Sequence, residues 1–229
     1  MHRYRDKKKY FLFLFLTLFF LSSINSQLFI EKKQSLYNLK SIEVIGLDEK
    51  LNTEIEQNLN FLLNTNIFFL DKKILNNQIN KYNYIENYSI FKFYPSKIIL
   101  KLKHADLLAR TIINNELFLI GSNSKFISIE KFSNYENLPI VFGKFTAEKF
   151  INFMKIIYQS DFSYNNIKEI FFYPSGRIDI KNQDNVLIKF PLEKLDESLK
   201  IANQIINNKN FNNNVIDLRI PNQVILSNE

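Results

Sequence analysis

Apolar residues are distributed in two different ways along the chain. Near the N-terminus they form one dense run, Tyr10–Leu21, in which Thr17 and the Tyr10 hydroxyl are the only polar groups. Beyond about residue 38 they alternate with polar residues or recur at helical spacing, as in domains that pack their own core. The pattern therefore predicts one membrane-directed segment followed by folded material.

The N-terminal segment has two interpretations. Five basic residues and one acid precede it within residues 1–9, so the positive-inside rule predicts a cytoplasmic tail and an exported remainder. Extended to Ile30, the segment has 21 residues, about 31 Å as a helix, which would just span a bilayer. The 12-residue run alone has the length of a signal-peptide core, and Ile24–Ser26 is a tolerable cleavage site. Export follows from both interpretations, whereas permanent anchoring stays open.

The region 38–104 carries the pattern β-α-α-β-β. The spacing from Thr53 to Glu56 predicts a capping box at the start of the first helix, and Asp71 can cap the second. This order predicts a small sheet with two helices on one face, an α+β unit. The expected elements are a strand over 39–45, helices over 52–63 and 72–81, and strands over 85–93 and 97–103.

The region 105–229 is expected to form a mostly antiparallel sheet with two helices, over 146–159 and 193–207. Its last strand, 215–226, is interrupted only at Pro221. We expect this strand to lie at an edge of the sheet. The other expected strands cover 107–113, 116–120, 126–129, 139–142, 167–173, 177–181 and 186–190.

Charge and cysteine content exclude several classes of site. The formal net charge is +7, but residues 1–9 supply +4 of it, which leaves +3 over the other 220 residues. Because those charges are interspersed, we expect a mixed solvated surface and no nucleic-acid partner. The chain has no cysteine, so disulfides, thiolate metal sites and a thiol nucleophile are excluded.

Catalytic chemistry has no support in the sequence. The two histidines are His2, in the tail, and His104, which we expect at a strand end on the surface. The four glycines, at 46, 121, 143 and 176, form no phosphate-binding loop. We therefore expect a protein that is not an enzyme, with no cofactor, no metal site and no small-molecule substrate.

Several short motifs follow one another in a recognisable order: Ser41–Gly46, Tyr82–Ile90, Phe93–Ile98, Leu138–Gly143 and Ile216–Arg219. Together they resemble the FtsQ/DivIB family of bacterial division proteins, and the β-α-α-β-β unit looks like a POTRA domain. The chain departs from the family pattern in places. Tyr84 replaces the usual Trp, and Ile220 and Gln223 replace the usual Tyr and Gly of the last strand.

The resemblance implies a bitopic scaffold of the divisome, in the bacterial inner membrane at the division septum. It favours the anchor over the cleaved signal, and it implies FtsB- and FtsL-like single-pass partners and a link to septal peptidoglycan synthesis. Carried over by position, it assigns partner contact to Arg219, Ile220 and Asn222. The implied domains are a tail over 1–9, an anchor over 10–30, a linker over 31–37, a POTRA domain over 38–104 and a β domain over 105–229.

Alternatives remain for the function and for individual residues. The chain could be a POTRA-containing secretion or outer-membrane assembly factor, although the region after residue 104 is predicted to contain two helices. Arg219 could instead form a salt bridge within a capped strand. Lys97, Lys101 and Lys103 could form a basic recruitment strip or a plain solvated strand face.

Overall fold

The computed structural model describes residues 7–22, 36–208, 210–220 and 222–228. Helix α1, Lys7–Ser22, contains the dense apolar run, and its large apolar side chains are exposed. Within the described part of the chain, no helix is both long enough and apolar enough to cross a membrane. The expected anchor over 10–30 therefore appears only as this 16-residue helix, since residues 23–30, like the cleavage site within them, lie outside the described residues.

Contacts divide the chain into two units. The first comprises Met1–Gln78 with Tyr88–Leu102, and the second comprises Ile79–Asn87 with Lys103–Glu229. The segment Ile79–Asn87 therefore groups with the second unit although it follows the two helices of the first.

The β-α-α-β-β order predicted for residues 38–104 is confirmed. Strands β1 and β3 pair in parallel, from Ser41 opposite Lys97 to Ile45 opposite Lys101, and the sheet order is β1-β3-β2. Leu39, Ile55 and Ile98 are fully buried in the core of the first unit. The elements are β1 (Ser41–Ile45), α2 (Glu49–Leu59), α3 (Lys72–Ile79), β2 (Ile85–Phe93) and β3 (Lys97–His104), with 3₁₀ turns at Asn60–Leu62 and Ile67–Phe69.

The predicted capping box of helix α2 is wrong. The N-cap is Asp48, whose carboxylate accepts a hydrogen bond from the Leu51 backbone N–H at 2.9 Å. Thr53 lies inside the helix, and its hydroxyl donates to the Glu49 carbonyl. Glu56 instead accepts a hydrogen bond from the Val44 N–H at 2.7 Å, and so ties α2 to β1. The helix therefore begins at Glu49, where Asp48 caps it, and the Glu56 carboxylate bonds to β1 and not to the Thr53 N–H.

The second unit is built on a nine-stranded mixed sheet in the order β12-β11-β10-β9-β8-β7-β4-β5-β6. The prediction of a mostly antiparallel sheet is confirmed, since five of the eight pairings between the described strands are antiparallel. The other three, β4–β7, β7–β8 and β10–β11, are parallel and were not predicted. The strands are β4 (Leu107–Ile113), β5 (Glu116–Gly121), β6 (Phe126–Ser128), β7 (Ile140–Gly143), β8 (Ile167–Phe172), β9 (Ile178–Asn182), β10 (Leu187–Lys189), β11 (Val215–Asp217) and β12 (Ile225–Ser227).

Both predicted helices of the second unit are confirmed, as α4 (Ala147–Gln159) and α5 (Leu195–Ile206). Thr146 caps α4 by accepting a hydrogen bond from the Lys149 N–H. Buried residues of both helices pack in one apolar cluster with strands β8, β9 and β11, which contribute Ile170, Ile180 and Ile216. Burial of this face is what stabilises the sheet in the second unit.

Candidate partner-binding surface

The end of the chain forms two short strands and not the single strand that the sequence predicts. Strand β11 pairs in parallel with β10, and β12 turns back to pair with β11 in antiparallel fashion. The polypeptide reverses in the connection between β11 and β12, where Asn222 has a φ of +60°. Asparagine tolerates this left-handed conformation better than most side chains. Arg219, Ile220 and Asn222 therefore lie in the connection, beside the sheet edge and not within a strand.

Arg219 is held by Asp217, as the salt-bridge alternative anticipated. The Arg219 Nη2 donates to Asp217 Oδ2 at 2.6 Å, and its Nε donates to Oδ1 at 2.9 Å. The Arg219 backbone N–H also donates to Oδ1, at 3.0 Å. These hydrogen bonds lower the pKa of the Asp217 carboxyl below its ordinary value and raise that of Arg219. The pair fixes the start of the connection, yet the Arg219 side chain is still 45% exposed.

The surface around this connection is apolar. Four large side chains there expose between 44% and 46% of their area. Single exposed apolar residues are ordinary, but four of them within seven positions at the end of a sheet indicate a contact surface. They cover both faces of the strand, since Ile225 lies opposite Asp217 and Leu226 lies opposite Ile216. The sequence predicted the whole strand over 215–226 as a partner-binding edge, and by position the resemblance singled out only Ile220 among these four residues. The four residues, here called the β12 surface, are Ile220, Val224, Ile225 and Leu226.

A row of charged residues leads up to the β12 surface. One residue from each of four neighbouring strands forms this row. Lys189 on β10 lies between Asp179 on β9 and Asp217 on β11. Asp217 in turn lies opposite Ile225 on β12. Residues directly opposite one another share a face of the sheet. Charges of alternating sign therefore end at an exposed isoleucine. This row was not predicted, because strand neighbours cannot be assigned from periodicity alone.

Asp179 is fully buried within this row. Arg177 Nη2 donates to Asp179 Oδ2 at 3.2 Å, and its guanidinium carbon lies 4.0 Å from the centroid of the Tyr173 ring. Burial raises the pKa of the Asp179 carboxyl, and the charge and hydrogen bond of Arg177 oppose that increase. The formal charges of Arg177 and Asp179, together with those of Lys189, Asp217 and Arg219, sum to +1 beside the β12 surface.

A metal-binding arrangement is not evident in the described ranges. No group of three or more His, Asp or Glu residues there could hold a metal ion. His104 is more enclosed than predicted. Its ring stacks on Tyr84 at 5.8 Å and meets Phe132 edge-on at 5.1 Å, and its Nδ1 lies 2.7 Å from the Ala105 carbonyl oxygen. These contacts describe a packed aromatic cluster within the second unit.

Two family models match the chain, in the order in which the two kinds of fold occur along it. The POTRA domain of FtsQ type matches residues 37–103, and the C-terminal domain of the cell division proteins FtsQ and DivIB matches residues 109–219. The chain belongs to the FtsQ/DivIB family. Proteins of this family take part in cell division, act as non-enzymatic scaffolds and interact with other division components. The second match ends at Arg219, so Ile220 and Asn222 lie beyond it.

One solved structure that resembles this FtsQ/DivIB protein is the major extracytoplasmic domain of the trans isomer of DivIB from Geobacillus stearothermophilus. The likeness has 12% sequence identity and a TM-score of 0.32, and it covers 42% of this chain and 87% of that one. No curated protein matches the chain closely enough to be reported as a relative.

The possible basic strip of the POTRA domain is partly neutralised. Lys97 Nζ lies 2.5 Å from the Glu43 carboxylate, and Lys103 Nζ lies 2.6 Å from that of Glu86. Lys101 is exposed. Because two of the three lysines are ion-paired, the β12 surface is the stronger candidate for partner contact in this FtsQ/DivIB protein.

Proposed function

We propose that this protein is a bitopic divisome scaffold that binds FtsB- and FtsL-like single-pass proteins and links them to septal peptidoglycan synthesis. The observation that carries the proposal is an exposed, apolar terminal strand, β12, at the end of a sheet in a chain of the FtsQ/DivIB family. The proposed domains keep the boundaries stated for the sequence: tail 1–9, anchor 10–30, linker 31–37, POTRA domain 38–104 and β domain 105–229.

Strand addition is the proposed mode of binding. Among the described strands, β12 pairs only with β11, so its other side offers backbone N–H and C=O groups to an added strand. A partner strand there would form main-chain hydrogen bonds and cover the β12 surface. Arg177 and Arg219 flank the neighbouring row and bring its charged groups to a sum of +1, which favours a partner segment that carries acidic residues. Arg219, Ile220 and Asn222 would border the added strand and fix its register.

Membrane attachment is proposed through residues 10–30, with residues 1–9 in the cytoplasm and the two domains on the outer side. Two features support it: the five basic residues that precede the apolar run, and the exposure of every large apolar side chain in Tyr10–Leu16 of α1. The protein would lie in the inner membrane and gather at the septum. A fluorescent fusion should then form a band at midcell, and a uniform peripheral signal would argue for the assembly-factor alternative.

Binding is tested by co-purification of the full-length chain with an FtsB-like coiled-coil protein. Ile225→Glu places a charge on an exposed strand position, and we expect at least about tenfold weaker binding, near 1.4 kcal/mol. Ile220→Glu should act in the same direction. Tyr158→Glu, at a 59% exposed position on α4, is the matched control and should bind as the wild type does. Equal binding by all three variants would exclude strand addition at β12.

The structure also determines which deletion is informative. Removal of residues from 215 onward would delete Ile216, which is fully buried, and Leu218, which is 5% exposed. Such a deletion damages the core and cannot separate binding from folding. A truncation after Gln223 removes β12 and leaves β11 in place, so lost binding with retained folding would assign the contact to β12.

A further inference from the structure

A second exposed apolar surface lies in the first unit, where the chain enters the domain. Four side chains there are more than half exposed: Leu36 at 55%, Phe68 at 53%, Phe69 at 85% and Tyr94 at 56%. Tyr37 joins them, since its ring meets Phe68 edge-on with centroids 4.9 Å apart. Phe68 in turn stacks on Tyr94, also at 4.9 Å. These five residues are called the entry patch.

Backbone hydrogen bonds hold the three segments of the entry patch together. The Ile67 N–H donates to the Tyr37 carbonyl at 2.9 Å, and Asn38 forms an antiparallel bridge with Asn66. The Lys40 N–H donates to the Ser96 carbonyl, next to the β2–β3 turn, at 2.7 Å. The patch is therefore a fixed feature of the fold, and its rings are presented together at one place.

Lysines flank the segments of the entry patch along the chain. Lys40, Lys72 and Lys73 are exposed, and Lys92 Nζ donates to the Ile67 carbonyl oxygen, immediately beside the aromatic residues. Asp71 is the one acid within the segments 36–40, 66–73 and 92–96, so these segments carry +3. Exposed aromatic rings bordered by lysines match the composition of surfaces that settle at the headgroup level of a bilayer.

The position of the patch in the chain limits its distance from a membrane. Only 13 residues, 23–35, separate α1 from Leu36. If the anchor ends at Ile30, five residues remain, which reach about 18 Å when fully extended at 3.3–3.6 Å per residue. The patch would then be tethered within reach of the bilayer, where the effective concentration of lipid is high.

We propose that the entry patch docks on the lipid surface, with Phe69 and its neighbours in the headgroup region and the lysines near anionic lipid phosphates. The inference rests on the proposed membrane anchor. Docking would hold the first unit against the bilayer next to the anchor and would restrict the directions in which the rest of the chain can point.

The absence of tryptophan from the chain provides a direct test. Phe69→Trp introduces a single tryptophan, whose emission can be excited apart from that of the 11 tyrosines, at a position so exposed that packing is barely changed. The full-length variant is reconstituted into vesicles of phosphatidylethanolamine and phosphatidylglycerol, with and without bromine on the acyl chains. We expect brominated lipid to quench the emission at least about twofold, because a docked ring would lie ~5–10 Å into the headgroup and acyl boundary. Tyr158→Trp, in the second unit, is the matched control and should stay unquenched.

The outcomes separate this inference from the anchor. Vesicle flotation of the protein with equal, unquenched emission from both variants would overturn docking and leave the anchor intact. Equal quenching of both variants would show unspecific lipid contact and would also overturn it. Emission that changes with protein concentration but not with brominated lipid would also overturn docking on lipid. It would show that the patch contacts a second copy of the protein. Failure to float would refute the anchor, and the docking with it.

Discussion

Gly143 ends β7 with a φ of +100°, and a Cβ at this position would overlap the backbone carbonyl of Phe172 on the neighbouring strand β8. Gly176 offers a matched control. Its φ is +93°, but the nearest atom to a Cβ there would be the Leu192 Cδ2, at an ordinary 3.8 Å. Both substitutions force an alanine to adopt a left-handed backbone conformation. The difference between their losses of stability therefore measures the clash between the two strands.

The magnitudes follow from these two environments. Alanine in the left-handed region costs about 1–2 kcal/mol, which is the destabilisation expected for Gly176→Ala. In Gly143→Ala a strand must also shift, and because the obstacle is backbone the shift disturbs the β7–β8 hydrogen bonds. We expect a total of about 4 kcal/mol. For a domain of about 125 residues, 1 kcal/mol corresponds to roughly 3–6 °C in Tm, so the two variants should differ by ~10 °C.

Thermal unfolding followed by circular dichroism measures both losses, and urea unfolding of the same samples supplies the free energies. Equal midpoints for Gly143→Ala and Gly176→Ala would refute the reasoning. That result would mean that Gly143 does not lie against Phe172, and the parallel β7–β8 register at the centre of the sheet would have to be revised.

Three further changes test local features. Asp217→Asn removes the carboxylate that holds Arg219. Pairing with Arg219 lowers the pKa of Asp217 below 3.8. The contribution of the pair to the free energy of unfolding is therefore complete above pH 3.8 and is lost as the pH falls through the lowered pKa. We therefore expect urea titrations to show a loss of up to about 1 kcal/mol at pH 7, reduced by solvent screening, and none in strong acid; a loss independent of pH would contradict the pairing. Asn123→Ala deletes two amide hydrogen bonds to carbonyls at the start of β2, at 2.7 and 3.0 Å, and should cost about 1–2 kcal/mol and speed amide exchange there. Asp48→Ala should lower the free energy of unfolding of the first unit by about 1 kcal/mol, and Thr53→Ala should lower it by much less. A larger loss for Thr53→Ala in urea unfolding would show that Thr53, and not Asp48, caps the helix.

The elements that the sequence predicts well are those in which one face is uniformly buried. Helix α4 and strand β3 are examples, since their apolar spacing marks the buried face, and Thr146 or the preceding turn marks the start. The start of α2 was mistaken because Asp48 and Thr53 are both good caps. Asp48 makes the capping hydrogen bond, and Glu56 bonds instead to the distant Val44, a contact that periodicity does not show.

Neighbours within the sheet could not be predicted. Periodicity identifies the buried face of β7, but not that β7 lies between β4 and β8, because that placement depends on pairing between distant segments. The same limit affected the candidate surface. The sequence located its residues at the end of the chain, but not the reversal at Asn222 that puts β12 outside β11.

The nine-stranded sheet ends in β6 on one side and β12 on the other, and each of these strands has only three residues. A ladder of three residues is too short to hold a second copy of the same protein by backbone pairing alone. Such ends resist the edge-to-edge growth that turns exposed sheets into fibrils. Stable attachment at β12 then depends on side chains that fit the surrounding apolar residues, so crowding many copies at one place in the cell need not lead to aggregation.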